Sequence, residues 1–251
     1  MPSQKKTVEV LKGKRLSEQV YDALERRIIR GMMAPGSHIA EEKIAREFGI
    51  SRSPVRQAIA ALEVRGLAEW AGKRDRRVSI PSTAFVADVF DTCSVLESGR
   101  VYHSCRVAPP EDHAELVACL QHMETMRARG NKKEYEKNAG LLREILVRRC
   151  DNQKLNQLSR EFDGYRKWIV AISYPTDLFE SEEEHKRIVQ CYIARDRVGL
   201  MEAIELHASH IKKAILEAFE RQRELFKAKL SRSLARSRNK RGLQGTQIAV
   251  D

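Results

Sequence analysis

Between His38 and Ile80 the chain reads HIAEEKIAREFGISRSPVRQAIAALEVRGLAEWAGKRDRRVSI, and this ordered stretch constrains the fold more than any other. Ile44, Ala45 and Phe48 recur at helical spacing on one face of a short helix, and Gly49 ends it. A second helix follows from Ser51, with Pro54 in its first turn, where a missing N–H costs nothing. Val55, Ala58, Ile59 and Leu62 fall on its buried face, and Arg52, Ser53, Arg56 and Gln57 fall on the other. Gly66 closes that helix. Ala68–Trp70 and Arg77–Ile80 read as two short strands around the basic turn Lys73-Arg74-Asp75-Arg76. Two helices joined by a tight Gly turn and followed by a basic hairpin predict a winged helix-turn-helix.

The exposed chemistry suits nucleic acid. Arg52 and Arg56 lie four residues apart and project from the same end of the second helix. A guanidinium forks onto guanine O6/N7 or onto phosphate oxygens. The hydroxyls of Ser51 and Ser53 and the N–H groups of the helix start suit phosphate. The wing adds Lys73, Arg74, Arg76 and Arg77, enough to follow a groove edge.

The stretch from Leu16 to Ile80 resembles the DNA-binding domain of the GntR family of bacterial transcription regulators. The resemblance rests on LSEQVYDALERRIIRG, the turn at Ala34–Gly36, IAREFGISRSPVRQAIAALEVRGL and the basic wing. It implies that Arg52 and Arg56 contact operator DNA and that Ser51 and Ser53 contact its backbone. The implied DNA-binding set is Arg46, Ser51, Arg52, Ser53, Arg56 and Gln57, with Lys73, Arg74 and Arg76 from the wing. Gln57 stands where the family usually has Glu. The wing tip lacks the usual Gly, so Asp75 is expected to take a left-handed turn conformation.

Charge divides the chain. Residues 1–81 hold 17 Lys/Arg against 10 Asp/Glu, net +7; residues 82–220 hold 20 against 23, net −3; residues 221–251 hold 9 against 2, net +7. A polyanion partner is therefore expected for the two ends only. The sequence shows no run of eighteen apolar residues and no signal-peptide core, which predicts a soluble, cytoplasmic chain without a membrane partner. Cys93, Cys105, Cys119, Cys150 and Cys191 are odd in number and widely spaced, as expected of buried, reduced thiols.

The middle reads as helix throughout. Six segments are predicted: Thr83 to about Val107, Pro110 to Gly130, Lys133 to Arg149, Lys154 to Ser173, a helix opened by a Ser181/Glu184 capping box, and a last one from Asp196 past Phe219. The fold class is thus mostly α, a winged helix-turn-helix followed by an antiparallel bundle of about six helices with room for a small molecule. The domains are a flexible arm at 1–15, the reader at 16–81, the bundle at 82–220 and a basic tail at 221–251, helical to about Leu230 and disordered beyond. The tail reads as either a phosphate-contacting arm or a solvated end.

A reader of this kind with such a bundle resembles the FadR branch of the family, whose ligand domain is called FCD. Leu96-Glu97, LLREILVRRCDNQKL at Leu141–Leu155, SEEEHKRIV at Ser181–Val189 and LMEAIELHASH at Leu200–His210 carry that resemblance. It implies a divalent metal held by an Asp, a His four residues later and two further His. His185 and His207 match; Ala139 and Arg143 stand where the other two ligands are expected. Two imidazoles alone make a poor metal site, and Glu97, Asn138 or His103 would have to complete it. Arg143 also suggests direct reception of a carboxylate by a fixed cation, with His185 and His207 as hydrogen-bonding groups and Glu97 beside them. Otherwise it turns outward or pairs with Glu97 or Glu144.

Three functions follow. The first is a homodimeric regulator, repressor-like, that binds an inverted-repeat operator in double-stranded DNA and answers to a small organic acid. The second is a metal-dependent enzyme on the His-bearing bundle. The third is a non-specific nucleic-acid-binding protein.

Overall fold

A computed structural model describes residues 14–72, 75–173 and 182–245, with side chains through Arg232. Its described residues form nine helices and one two-stranded sheet. They divide into two compact units, one of residues 1–82 with 220–251 and one of residues 83–219.

In the first unit α1 (Leu16–Ile29) packs against α3 (Arg52–Val64) and α2 (Glu41–Phe48) leans on α3. Val20, Leu24 and Ile28 are buried at the helical spacing that predicts them, as are Val55, Ala58, Ile59 and Leu62. Gly49 ends α2 in the left-handed region at φ +66°, and Ile50 N–H returns to the Ala45 carbonyl at 3.0 Å. Ser51, with extended backbone, then starts α3. Strands β1 (Ala68–Gly72) and β2 (Asp75–Val78) pair antiparallel, with Trp70 opposite Arg76 and Glu69 opposite Arg77. The segment before α2 runs along the other edge of β2: Gly36 N–H reaches Val78 O at 2.8 Å and Ile39 N–H reaches Arg76 O at 2.7 Å.

The hairpin corrects two expectations. The second strand begins at Asp75 rather than Arg77, because residues 36–39 give its backbone a further partner. The positive φ sits at Gly72, at +142°, and Asp75 is extended in the ladder opposite it. The glycine just before the turn takes the conformation that a β-carbon would resist.

The second unit holds α4 (Thr83–Cys105), α5 (Pro110–Ala128), α6 (Lys132–Val147), α7 (Gln153–Ser173), α8 (Glu182–Ala194) and the first part of α9 (Arg197–Gly245). Pro110 opens α5; Asn131 caps α6 by accepting from Glu134 N–H at 3.2 Å; Asn152 caps α7 by accepting from Lys154 and Leu155 N–H, each at 3.1 Å. Ser181 and the loop at residues 174–177 lie outside the described residues. Helix α4 packs on α6 and α7, and α5 on α6 and α8. Tyr135, Trp168, Tyr192 and Phe219 are buried in this unit. Asp112, itself buried, takes both nitrogens of the Arg149 fork at 2.8 Å and Arg148 at 3.3 Å. All five cysteines are free, four of them buried. Helix α9 continues to Gly245, beyond the end expected near Leu230. Among the described residues no helix is long and apolar enough to cross a membrane.

Candidate functional site

Two places collect chemistry. The first is the N-terminal face of α3. Ser51, Arg52, Ser53, Arg56 and Gln57 are all exposed, and Arg46 stands exposed at the end of α2. The two arginines are held by α2: Arg52 pairs with Glu42 at 2.7 Å and Arg56 with Glu41 at 2.8 Å. These carboxylates fix the guanidinium groups at the helix start, where orphan N–H groups and the positive dipole end also favour an anion.

The wing contributes less than its charge suggests. Lys73 and Arg74 lie outside the described residues. Arg76 is only 16% exposed; it stacks on the Trp70 ring at 3.8 Å and pairs with Glu63 at 2.7 Å and Glu41 at 3.4 Å. Arg76 is therefore a brace between wing, α2 and α3, not a free groove contact. The physical reason is strand pleating, which puts cross-strand partners Trp70 and Arg76 on one face. Arg77 is likewise turned in and pairs with Glu69 at 3.6 Å.

The second place is a cavity of about 710 Å³ within the helical unit, lined from α4, α6, α7, α8 and α9. It brings together all four residues singled out there, Glu97, Arg143, His185 and His207. Arg143 is ion-paired with Glu97. The sequence did not single out Arg100, Ser159, Asp163 and Arg166, which share the wall. Arg166 pairs with Asp163 at 3.0 Å. Burial and the neighbouring Arg143 lower the Arg166 guanidinium below its ordinary value. Burial alone would raise Asp163, but Arg166 and Arg143 overrule it and hold its carboxyl low. The only forward signal for Arg166 is its place one turn after Phe162, on a helix whose other face is apolar.

The His185 and His207 rings lie 4.6 Å apart between centroids. His207 Nδ1 and His210 Nδ1 both engage the Glu184 carboxylate, the first at 2.8 Å. His185 is buried, its Nδ1 has no hydrogen-bond partner, and burial together with His207 pushes its pKa down to about 4. The ring is therefore neutral near pH 7. The buried Ser159 hydroxyl likewise has no partner. Cys93, on the same wall, is pushed up to about 11 by burial and remains a thiol.

These residues do not fit a divalent metal. Beside the two imidazoles the wall offers the Ala139 methyl group and the Arg143 guanidinium. Glu97 is taken by Arg143, His103 pairs with Asp151 at 3.5 Å, and Asn138 donates to the Glu134 carbonyl at 2.7 Å. Among the described residues no group of three or more His, Cys, Asp or Glu side chains has metal-holding geometry. Trp168 belongs to the core rather than to the cavity wall.

Known proteins resemble the chain over both units. The family model described as bacterial regulatory proteins, gntR family, matches residues 16–78, and the FCD domain model matches residues 88–210. An uncharacterized HTH-type transcriptional regulator of Bacillus subtilis (strain 168), YdhC, is 25% identical over 198 residues, covering 76% of this chain and 87% of its own. The gluconate operon transcriptional repressor of the same strain is 22% identical over 212 residues, covering 81% and 86%. In fold, the chain is similar to the solved structure of E. coli McbR/YncC, with a TM-score of 0.60 at 18% identity over 82% of this chain and 99% of that one.

Proposed function

The chain belongs to the GntR family of bacterial transcription regulators and carries an FCD ligand-binding domain, and from that we propose a homodimeric, cytoplasmic repressor released by a small organic acid. One observation carries the reading of DNA: Arg52, Ser53, Arg56 and Gln57 stand exposed together at the start of α3. Arg52 and Arg56 exchange Glu42 and Glu41 for base edges or phosphates. Arg46, Ser51 and Ser53 hold the backbone, and Gln57 reads beside them. A single such helix spans only a few base pairs, so two copies on an inverted repeat supply useful specificity.

In the helical unit Arg143 and Arg166 receive the acid's carboxylate, with the neutral His185 and the Ser159 hydroxyl as its polar neighbours. His207, held by Glu184, orients His185, and Glu97 positions Arg143 until the ligand's carboxylate competes for it. The site works without a metal, and the chain acts by binding rather than catalysis. One relative represses a gluconate operon, so sugar acids belong in the first panel of ligands.

The test is selection of duplexes from a random pool, followed by the mass of the complex. An inverted repeat bound by two chains is expected. Arg52→Ala and Arg56→Ala should each weaken the selected site about 10-fold or more, the ~1–3 kcal/mol of a bidentate contact. Selected duplexes without a repeat, or one chain per duplex, would overturn the dimeric reading.

A further inference from the structure

The positive charge of the chain is confined to one of its two compact units. Residues 1–82 with 220–251 hold 26 Lys/Arg against 13 Asp/Glu, net +13, whereas residues 83–219 hold 20 against 22, net −2. Much of that excess lies in the C-terminal part of α9, which belongs to the unit of the reader helix.

This segment is fastened to the reader unit at two points. Arg223 Nε donates to the Pro81 carbonyl at 3.1 Å. Leu230 lies so close to the turn at Gly36 that a β-carbon there would meet Leu230 Cβ at 3.8 Å. Phe219, Arg223, Phe226 and Leu230 recur every three or four residues and are buried or half-buried, which makes them the inward stripe. Arg221, Lys229 and Arg232 fall on the opposite face of the helix and are exposed. The one acid in this stretch, Glu224, pairs with Lys227 at 2.8 Å. Among the described residues, Arg221, Lys229 and Arg232 have no ion pair of their own. The sequence adds Arg236 four residues after Arg232, and no acid before Asp251.

We propose that this docked C-terminal helix is a second DNA-contacting element, which binds duplex phosphates without regard to sequence and adds to the grip of α3. The proposal goes beyond the regulator reading. From Arg221 to Arg232 the helix rises about 16 Å, along which a duplex presents roughly one charge per 1.7 Å of its axis. Cations without acidic partners on a solvent face give up no existing pair when they meet phosphate. Attachment to the reader unit distinguishes this helix from a solvated basic end, because it carries those charges to the same duplex.

The experiment uses the whole 251-residue chain with Arg221→Gln, Lys229→Gln and Arg232→Gln combined. Affinity for a random-sequence 30-base-pair duplex is followed by fluorescence anisotropy from 50 to 200 mM salt. The slope of log affinity against log salt should become shallower by about 2–3, at roughly 0.9 per lost phosphate contact, and affinity at 100 mM salt should fall about tenfold or more. The helical circular dichroism should be unchanged, and a companion with Arg221→Lys and Arg232→Lys should bind like the parent, since a point charge suffices. Unchanged slope and affinity in the Gln variant would overturn the proposal. So would a loss seen equally with the Lys companion, or a loss confined to single-stranded RNA or to anionic phospholipid vesicles. Arg52→Ala with Arg56→Ala tests the α3 reading separately: parent-like binding in that variant counts against α3 and leaves the C-terminal helix untouched.

Discussion

The two arginines at the start of α3 are already paired. A guanidinium holding a carboxylate is pre-aimed, yet it must release that carboxylate to take a base or a phosphate. The Arg52–Glu42 pair is 53% and 65% exposed on its two side chains, so it contributes well under about 1 kcal/mol. Glu42→Gln removes this competitor and an anion that would face the DNA backbone. Non-specific duplex affinity should rise, by less than about fivefold, with thermal stability nearly unchanged; an affinity that falls would show that the carboxylate aims Arg52 rather than competes for it. The arginines themselves were legible, because helical spacing sets them opposite Val55, Ala58, Ile59 and Leu62. Their partners were not, since Glu41 and Glu42 reach them only through the packing of α2 on α3. Arg76 failed for a different reason. Read by charge it belongs with Lys73 and Arg74, but the two-residue period of a hairpin sets it across from Trp70. That pairing was open to sequence reasoning had the strand started at Asp75.

Among elements, the six helices of the second unit were legible because each boundary has a chemical marker: Pro110, Gly130 with Asn131, and Asn152. The extent of α9 was not, since a run of Lys and Arg with one acid resembles a solvated tail. Its inward stripe of Phe226 and Leu230 was the signal that a packed helix continues. The joint between α5 and the end of α6 was equally invisible. There Asp112 is 1% exposed and ties α5 to Arg148 and Arg149. Hydrogen bonding from Arg149 holds its carboxyl below its ordinary value against the cost of burial. A depressed carboxylate stabilises the fold above its unfolded pKa of about 3.9, and that stabilisation is lost as pH falls through the lower folded value. Asp112→Asn should therefore melt at a lower temperature than the parent at pH 6. The gap should narrow as pH drops below about 4, where the parent also loses its charge. A gap that stays constant across this range would mean that packing, not ionisation, sets the cost.

At the scale of the molecule, the DNA-reading face and the ligand cavity belong to different compact units of opposite net charge. A regulator needs more than both sites; it needs a coupling free energy between them, and that energy has a signature independent of any pathway. If an acid in the cavity lowers operator affinity by some factor, the operator must lower the acid's affinity by the same factor. For a coupling of ~1–3 kcal/mol the factor is about 5–150. Calorimetric titration of the acid, with and without saturating selected duplex, gives one side of the cycle. Anisotropy titration of the duplex, with and without saturating acid, gives the other. The two ratios should agree, and the acid's affinity should be indifferent to a chelator, because guanidinium groups rather than a metal receive it. Arg143→Ala should abolish acid binding and with it the ratio, while acid-free duplex affinity stays at the parent value, since Arg143 lies in the unit that does not hold α3. A ratio of one with an acid that binds tightly would make the cavity a binding site without a regulatory role. A chelator that erases acid binding would restore the metal that Ala139 and Arg143 argue against.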